Sequence, residues 1–274
     1  MSPEELYAFD LNGYLVVENA VDPQLLAEAQ ARAAIWEERA KLMHPGQTPE
    51  SGEAPRRACR FDRIVNDDET FLHVALSPQV LARIVDLVVL PRLKSTWLDF
   101  KAQGGGIGFH SNHTPYNPVE AYIFQQRVCA SLVTVCYALN DVPLDGGALE
   151  VVPGSHKANF PMPADERAVE PLRRRLPLKA GNALIFSHDM NHGSTNRLPY
   201  VRRCLFASFA TGSSAHTQGD NDLYDAAFAR MPEGSWLKYF LRRPKGDRDS
   251  YPMPKRTVAE EFGLEPAAVC EASV

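Results

Sequence analysis

Short runs of β-branched and aromatic residues dominate the chain between residues 94 and 210. Turns that contain glycine lie between them, among them the triple glycine 104–106 and Asp145-Gly146-Gly147. The runs cover residues 94–101, 130–139, 148–152, 183–186 and 204–210. Short strands with frequent turns favour an antiparallel barrel or sandwich over a parallel sheet with crossover helices.

Helical patterns flank this β region on both sides. The best-marked one starts with a capping residue, Asp22, and a proline at the first helical position, Pro23, and it predicts a helix over residues 25–39. Further helices are predicted over residues 3–9, 70–90, 223–230 and 236–241, a strand over 14–17, and a surface loop over 43–57.

We therefore predict a mainly β fold with flanking helices, built as a single domain over residues 1–274. In this division residues 1–92 form an N-terminal helical support. Residues 93–212 form the β core, and residues 213–274 form a tail of helices and loops.

Charge and composition exclude several classes of function. The chain carries 34 acidic and 29 basic residues, and its basic residues form no long cluster, which argues against nucleic-acid binding. No apolar stretch approaches the ~18 residues of a membrane span, and the N-terminus lacks the pattern of a signal peptide. The five cysteines are scattered without a CxxC pair, which indicates reduced thiols and a cytoplasmic protein that does not engage a membrane.

Two histidines and one arginine lie where the β core can use them for chemistry. His110 follows the triple glycine, His192 follows the run 183–186, and Arg202 begins a further apolar strand. Two histidines from separate strands can bind a divalent metal and leave positions open for a bidentate co-substrate and oxygen. The planar fork of an arginine can hold the far carboxylate of that co-substrate.

Five segments, in order and at suitable spacing, resemble one enzyme family. They are FDLNGYLVV at 9–17, Lys101 with the glycine-rich loop before His110, GALEVVPGSHK at 147–157, LKAGNALIF at 178–186, and HGS at 192–194 with Asn196 and Arg202. The chain is similar to the phytanoyl-CoA dioxygenases, a family of iron(II)- and 2-oxoglutarate-dependent oxygenases. The resemblance implies a double-stranded β-helix, the cupin-like jelly roll, with Fe(II) and 2-oxoglutarate as cofactors.

The resemblance also implies a role for each residue that matches the family's motifs. His110 is the first iron ligand and His192 the distal one, and Asn112 stands at the position of the carboxylate ligand. Arg202, with Ser194 beside it, binds the C5 carboxylate of 2-oxoglutarate.

Three neighbouring residues fit these roles less well. Arg203 is the second choice for the salt bridge, because strand alternation points only one of the two arginines inward. His188 lies four residues before His192, and its spacing to Arg202 is too long for the distal ligand. His156 is, in the family, a structural residue of a turn and not a ligand.

Asn112 departs from the family's pattern, which has His-x-Asp or His-x-Glu where this chain has His110-Ser111-Asn112. A neutral amide leaves the site with one more positive charge, so weaker iron binding is expected. Three interpretations stay open: Asn112 binds the metal through its amide oxygen, it leaves a position for water or halide, or the site is degenerate. The candidates for a substitute carboxylate are Asp99, Glu120 and Asp189.

We expect an oxygenase that hydroxylates an unactivated C–H bond of a small organic molecule. A halogenase or another non-hydroxylating 2-oxoglutarate enzyme is the first alternative, and a degenerate jelly-roll binding protein is the second. The segment 117–127 is longer than expected for the family. Residues in and beside it line a substrate pocket or form an ordinary packed loop, and they are Tyr116, Tyr122, Phe124 and Gln125.

Overall fold

The computed structural model describes residues 1–42, 56–110, 121–124, 127–211 and 224–241, without the side chains of 121–124, 127, 128 and 166. Its strands are β1 (Tyr14–Val17), β2 (Ala58–Asp62), β3 (Pro91–Lys101), β4 (Gly106–His110), β5 (Ala121–Phe124), β6 (Arg127–Ala130), β7 (Leu132–Ala138), β8 (Leu149–Val151), β9 (Arg174–Leu176), β10 (Ala183–Ser187), β11 (His192–Thr195) and β12 (Arg202–Thr211). Its helices are α1 (Pro3–Asn12), α2 (Pro23–Ala40), α3 (Ile64–Asp67), α4 (Glu69–Ala75), α5 (Pro78–Leu87), α6 (Asp225–Arg230) and α7 (Lys238–Leu241), with 3₁₀ turns at Ser155–Lys157 and Glu166–Leu172.

Two antiparallel sheets form the body of the molecule. The larger has six strands in the order β1-β10-β7-β12-β3-β2, and the smaller has four in the order β4-β11-β8-β9. A separate hairpin joins β5 to β6. These non-consecutive strand orders are those of a jelly roll, which confirms the predicted mainly β fold with flanking helices.

The first 92 residues contribute strands as well as helices. β1 pairs with β10 at one edge of the larger sheet, and β2 pairs with β3 at the other. The predicted strand over 14–17 is therefore confirmed, whereas β2 was not predicted. Most of the predicted loop over 43–57 lies outside the described residues.

The helices begin where the local chemistry allows. Asp22 accepts hydrogen bonds from the backbone N–H groups of Gln24 and Leu25 and caps α2, as predicted. The predicted helical region 70–90 is two helices, α4 and α5, because Pro78 starts a new helix and has no N–H with which to continue the first. Within the described ranges, no helix is both long enough and apolar enough to cross a membrane.

Strand alternation divides the apolar side chains between two cores. Leu98 and Phe100 of β3 pack in the larger core together with helical residues such as Leu72. Phe206 of β12 packs on the opposite face of the sheet in a smaller core that also contains Val151 of the four-stranded sheet. The smaller core is therefore the interior of the jelly roll, and the functional side chains lie beside it.

Candidate active site

A cavity of about 350 Å³ opens between the two sheets. Its wall combines polar, titratable and aromatic side chains, which is typical of a small-molecule site. The residues that line it include Arg60, Trp97, Asp99, Lys101, His110, Thr134, His188, His192, Ser194 and Phe206.

The histidine pair lies on neighbouring strands of the smaller sheet. His192 is directly opposite His110 in the antiparallel register of β11 and β4, and the ring centroids are 4.3 Å apart. The Nδ1 atom of His110 lies 2.7 Å from the carbonyl oxygen of Gly108, and that of His192 lies 2.7 Å from the carbonyl oxygen of Met190. In the neutral imidazole each Nδ1 therefore carries the proton, which leaves Nε2 with the lone pair that a metal requires.

Burial keeps the distal histidine neutral. Desolvation, and then the proximity of His110, lower the pKa of His192 to about 4. An imidazole that is neutral near pH 7 is in the form that binds a divalent cation. The donor set and its backbone hydrogen bonds fit an iron(II) site.

A metal site built on this pair would need a third ligand from elsewhere in the chain. Asn112 and Glu120 fall outside the described residues. Asp99 lines the cavity but is paired with Arg202, and Asp189 is buried without lining the cavity. Within the described part of the chain, no group of three or more His, Cys, Asp or Glu side chains could hold a metal ion.

A buried lysine, Lys101, lines the cavity next to Arg202, the arginine expected from the sequence to bind the carboxylate of 2-oxoglutarate. The Nζ atom of Lys101 donates a hydrogen bond to Ser194 Oγ at 2.8 Å, and both residues line the cavity. Arg202 lies directly opposite Lys101 in the register of β12 and β3. It donates to the carbonyl oxygen of Gly147 at 2.7 Å and pairs with Asp99, so it lies behind the wall that Lys101 forms.

Burial, and then the charge of Arg202, lower the pKa of Lys101 to about 8, while Asp99 partly offsets both effects. Lys101 therefore remains mostly cationic at neutral pH. Together with Ser194 it offers a charged donor and a hydroxyl to an anion inside the cavity.

The two adjacent arginines point to opposite faces of β12. Arg202 is buried on the inner face, whereas Arg203 Nε lies 2.5 Å from the carboxylate of Glu37 on α2. This geometry is compatible with the prediction that Arg202, and not Arg203, occupies the inner position.

Sequence reasoning missed Trp97 and Arg60, and it named Asp99 and Lys101 without placing them together in one cavity. Trp97, Asp99 and Lys101 occupy alternate positions of β3, so a strand-alternation argument started from Lys101 would have brought all three together. Arg60 lies on β2, which was not predicted. Of the proposed pocket segment, residues 116 and 125 lie outside the described residues, as do the side chains of 122 and 124.

His188 is also part of the cavity wall. Its Nδ1 lies 3.0 Å from Thr134 Oγ1, and that hydroxyl lies 2.9 Å from Ser208 Oγ. Its ring centroid is 6.3 Å from that of His192. The hydrogen bond to Thr134 orients His188 from the larger sheet, whereas the histidine pair belongs to the smaller one.

The comparisons with known proteins agree with this geometry. The family model described as phytanoyl-CoA dioxygenase matches residues 9–204. Among curated protein sequences, none matches this chain.

Solved structures with the same fold are similar at low sequence identity. HygX from Streptomyces hygroscopicus, with nickel and 2-oxoglutarate bound, is 17% identical, with a TM-score of 0.64 over 77% of this chain and 87% of its own. The epimerase SnoN, in complex with Fe3+, alpha ketoglutarate and nogalamycin RO, is 19% identical, with a TM-score of 0.60 over 77% and 84%. EctD from S. alaskensis, with bound Fe, is 22% identical, with a TM-score of 0.57 over 78% of each chain.

Proposed function

Because this chain belongs to the phytanoyl-CoA dioxygenase family of iron- and 2-oxoglutarate-dependent oxygenases, we propose that it hydroxylates an unactivated C–H bond of a small molecule with His110 and His192 as metal ligands. The observation that carries this proposal is the facing pair of histidines. Both present Nε2 because both Nδ1 atoms are held by backbone carbonyls.

Asn112 completes the proposed set of ligands. Its amide oxygen would supply a neutral donor where the family has a carboxylate. Two of the candidate carboxylates are less suitable, because Asp99 is already paired with Arg202 and Asp189 does not line the cavity, while Glu120 lies outside the described residues.

The far carboxylate of 2-oxoglutarate is proposed to lie among Ser194, Lys101 and Arg202. Lys101 and Ser194 reach the cavity directly. Arg202 lies behind these two residues, where it adds positive charge without lining the cavity. Its hydrogen bonds to Gly147 and Asp99 hold it in place. This cluster provides the charge-assisted hydrogen bonds that anchor a carboxylate in a buried site.

The bound iron and 2-oxoglutarate would supply the oxidising power of the reaction. The chain supplies position and shelter. His110 and His192 would hold the metal, Lys101 and Ser194 would orient the co-substrate, and Trp97 and Phe206 give another part of the wall an apolar surface.

The structural relatives support a small-molecule substrate, because HygX was solved with hygromycin B and SnoN with nogalamycin RO. We extend this to the present chain only as a class. Within the described ranges the cysteines form no disulfide, which supports the cytoplasmic location expected from the sequence.

Two measurements test the proposal. Purified protein with iron(II), 2-oxoglutarate and ascorbate under air should form succinate. Under nitrogen, His110→Ala and His192→Ala should each weaken iron(II) binding by at least the roughly hundredfold that loss of an outer-shell partner can cost, since each removes a ligand outright. His188→Ala is the matched control and should bind iron(II) as the wild type does. Wild-type affinity in His192→Ala would show that the distal ligand is misassigned.

Halogenation is a second candidate reaction, favoured by the neutral residue at position 112. If Asn112 leaves a coordination position for halide, succinate formation should depend on chloride or bromide, and Asn112→Asp should abolish halogenation. If Asn112 is a ligand for hydroxylation, Asn112→Asp should tighten iron(II) binding and keep turnover, because a carboxylate offsets one unit of the metal's charge. An active wild type that Asn112→Asp inactivates without any halide effect would contradict both.

A further inference from the structure

Arg60 lies on the cavity wall at its solvent-facing side. It belongs to β2, where it stands directly opposite Asp99 of β3, and its side chain is 49% exposed. Asp99 is engaged by Arg202, and it is the one acidic residue that lines the cavity in the described part of the chain. Arg60 therefore adds a second cation to a wall that already contains Lys101.

The guanidinium of Arg60 is held in one orientation by two contacts. Its Cζ lies 4.1 Å above the ring of Trp97, which is itself stacked on Phe206 with centroids 4.9 Å apart and planes within 1°. Its Nε lies 2.5 Å from the carboxylate of Asp62. A stacked and tethered arginine has already lost much of its rotamer freedom, so further binding costs less entropy.

These contacts leave one edge of the guanidinium for a ligand. Asp62 takes Nε, and within the described residues Nη1 and Nη2 take no hydrogen-bond partner. That pair of nitrogens is the fork that matches the two oxygens of a carboxylate or a phosphate. The rest of the nearby wall, Trp97 and Phe206, is aromatic.

We propose that the substrate is an amphipathic oxyanion, with an apolar body that packs on Trp97 and Phe206 and a carboxylate or phosphate that Arg60 binds at the cavity mouth. This inference rests on the proposed function, because it assigns the inner cations, Lys101 and Arg202, to 2-oxoglutarate. It names the class of substrate that the remaining volume would take.

The test uses protein loaded with nickel and 2-oxoglutarate under nitrogen, so that the inner anion site is filled before any probe is added. Three probes with the same phenyl body are titrated by calorimetry: 3-phenylpropionate, 2-phenylethyl phosphate and the neutral 3-phenylpropionamide. The wild type should bind at least one anion about tenfold more tightly than the amide, as expected for one charge-assisted pair. The ratio between the two anions then tells a carboxylate substrate from a phosphate.

Variants assign that preference to Arg60. Arg60→Gln should remove it, and Arg60→Lys should keep only part of it because the fork is lost. Arg39→Gln is the matched control, because Arg39 also stacks on a tryptophan, Trp36, at 4.7 Å but does not line the cavity. It should bind the probes as the wild type does. Thermal unfolding of each variant checks that the fold is intact.

The negative outcomes are separable. Equal wild-type affinity for anion and amide, failure of both anions to bind, or an unchanged preference in Arg60→Gln would overturn the inference. Each of these leaves the proposed function standing, provided that nickel and 2-oxoglutarate bind. Failure of the wild type to bind nickel and 2-oxoglutarate would instead contradict the proposed function itself.

Discussion

Each histidine of the pair is oriented by the backbone carbonyl two residues before it, Gly108 for His110 and Met190 for His192. Metal-binding histidines need such a partner to fix the tautomer and the ring orientation. A main-chain carbonyl does this whatever the side chain, so the constraint falls on the path of the strand and not on the residue type at positions 108 and 190. This geometry could not be read from the sequence around either histidine.

The adjacent arginines, 202 and 203, provide a matched pair for testing the 2-oxoglutarate site. Arg202→Ala should weaken 2-oxoglutarate binding far more than Arg203→Ala, because only the inner arginine adds charge to the carboxylate site. The loss should be smaller than the roughly 2–5 kcal/mol of a direct buried charge-assisted contact, because Arg202 lies behind the cavity wall and is paired with Asp99. Titration of the nickel-loaded variants under nitrogen measures the ranking, and the reverse order would show that the carboxylate lies on the other face.

Arg202→Ala also removes the arginine that pairs with the buried carboxylate of Asp99. The effect of the substitution on folding therefore has to be separated from its effect on 2-oxoglutarate binding. Breaking a buried ion pair from one side costs about 3–5 kcal/mol of stability. Arg202→Lys keeps the charge and loses only the fork. A 2-oxoglutarate affinity in Arg202→Lys between those of the wild type and Arg202→Ala would identify charge, and not folding, as the cause.

The affinity for 2-oxoglutarate should fall at alkaline pH because Lys101 loses its charge. Its pKa is lowered to about 8 by burial and by Arg202, so above that pH the cavity loses the ammonium that the carboxylate prefers. Because binding needs the protonated form of Lys101, the affinity for 2-oxoglutarate should be about tenfold weaker at pH 9 than at pH 7. Lys101→Arg, which stays cationic, should remove this dependence. A flat profile in the wild type would mean that Lys101 does not contact the ligand.

Among the elements, the end of α1 shows why a turn histidine belongs to the fold and not to the chemistry. Gly13 ends the helix at a φ of 80°, and a Cβ built on it would collide with the ring of His156. The carbonyl oxygen of Gly13 accepts a hydrogen bond from the N–H of Ser187 at 2.9 Å, and that of Asn12 accepts one from Gly154 at 3.0 Å. The first sequence motif, residues 9–17, thus packs against the turn formed by residues 153–156.

Gly13→Ala should therefore destabilise the protein. The left-handed backbone alone costs about 1–2 kcal/mol for a residue with a Cβ, and the contact with His156 adds to it. Gly108→Ala is the control, because a Cβ there meets nothing within 4 Å. Urea unfolding should show a lower midpoint for Gly13→Ala and little change for Gly108→Ala. Equal midpoints would show that α1 does not pack on the turn as described.

The elements that the sequence predicted share strong local signals, and those that it missed do not. The cap at Asp22 and the proline at Pro23 predict α2, and apolar runs predict β3, β7, β10 and β12. In contrast, β4 contains two glycines in five residues, and β2 alternates charged residues with Cys59 and Phe61 behind a stretch rich in proline and glycine. Such strands exist because a neighbouring strand pairs with them, which is tertiary information.

The site was predictable to the same degree. Local motifs identified His110 and His192, because each lies beside a strong strand or a strong turn signal. The positions of Lys101 and Arg60 on the cavity wall follow only when β3 and β12 are known to pair in register and β2 is known to exist. The sequence therefore predicts the two facing histidines better than it predicts the cations on the rest of the cavity wall.

Across the whole molecule, one hydrophobic core joins the three predicted segments. Phe71 and Leu72 come from the N-terminal segment, Leu98 and Phe209 from the β core, and Phe240 from the tail. All five are buried in the same cluster. A cluster shared in this way should couple the segments during unfolding, as the single-domain prediction requires.

The three tryptophans of the chain test that coupling, because one lies in each segment: Trp36 on α2, Trp97 on β3 and Trp236 before α7. Trp36 and Trp236 pack against the larger core and Trp97 against the smaller one. Three variants each keep one tryptophan and have phenylalanine at the other two positions. In urea, the unfolding midpoint from tryptophan fluorescence should equal the midpoint from far-ultraviolet circular dichroism in each variant. The agreement is expected because loss of either core exposes the sheet that both share. A midpoint for Trp236 well below the circular dichroism transition would show that the tail unfolds independently and would contradict the single domain.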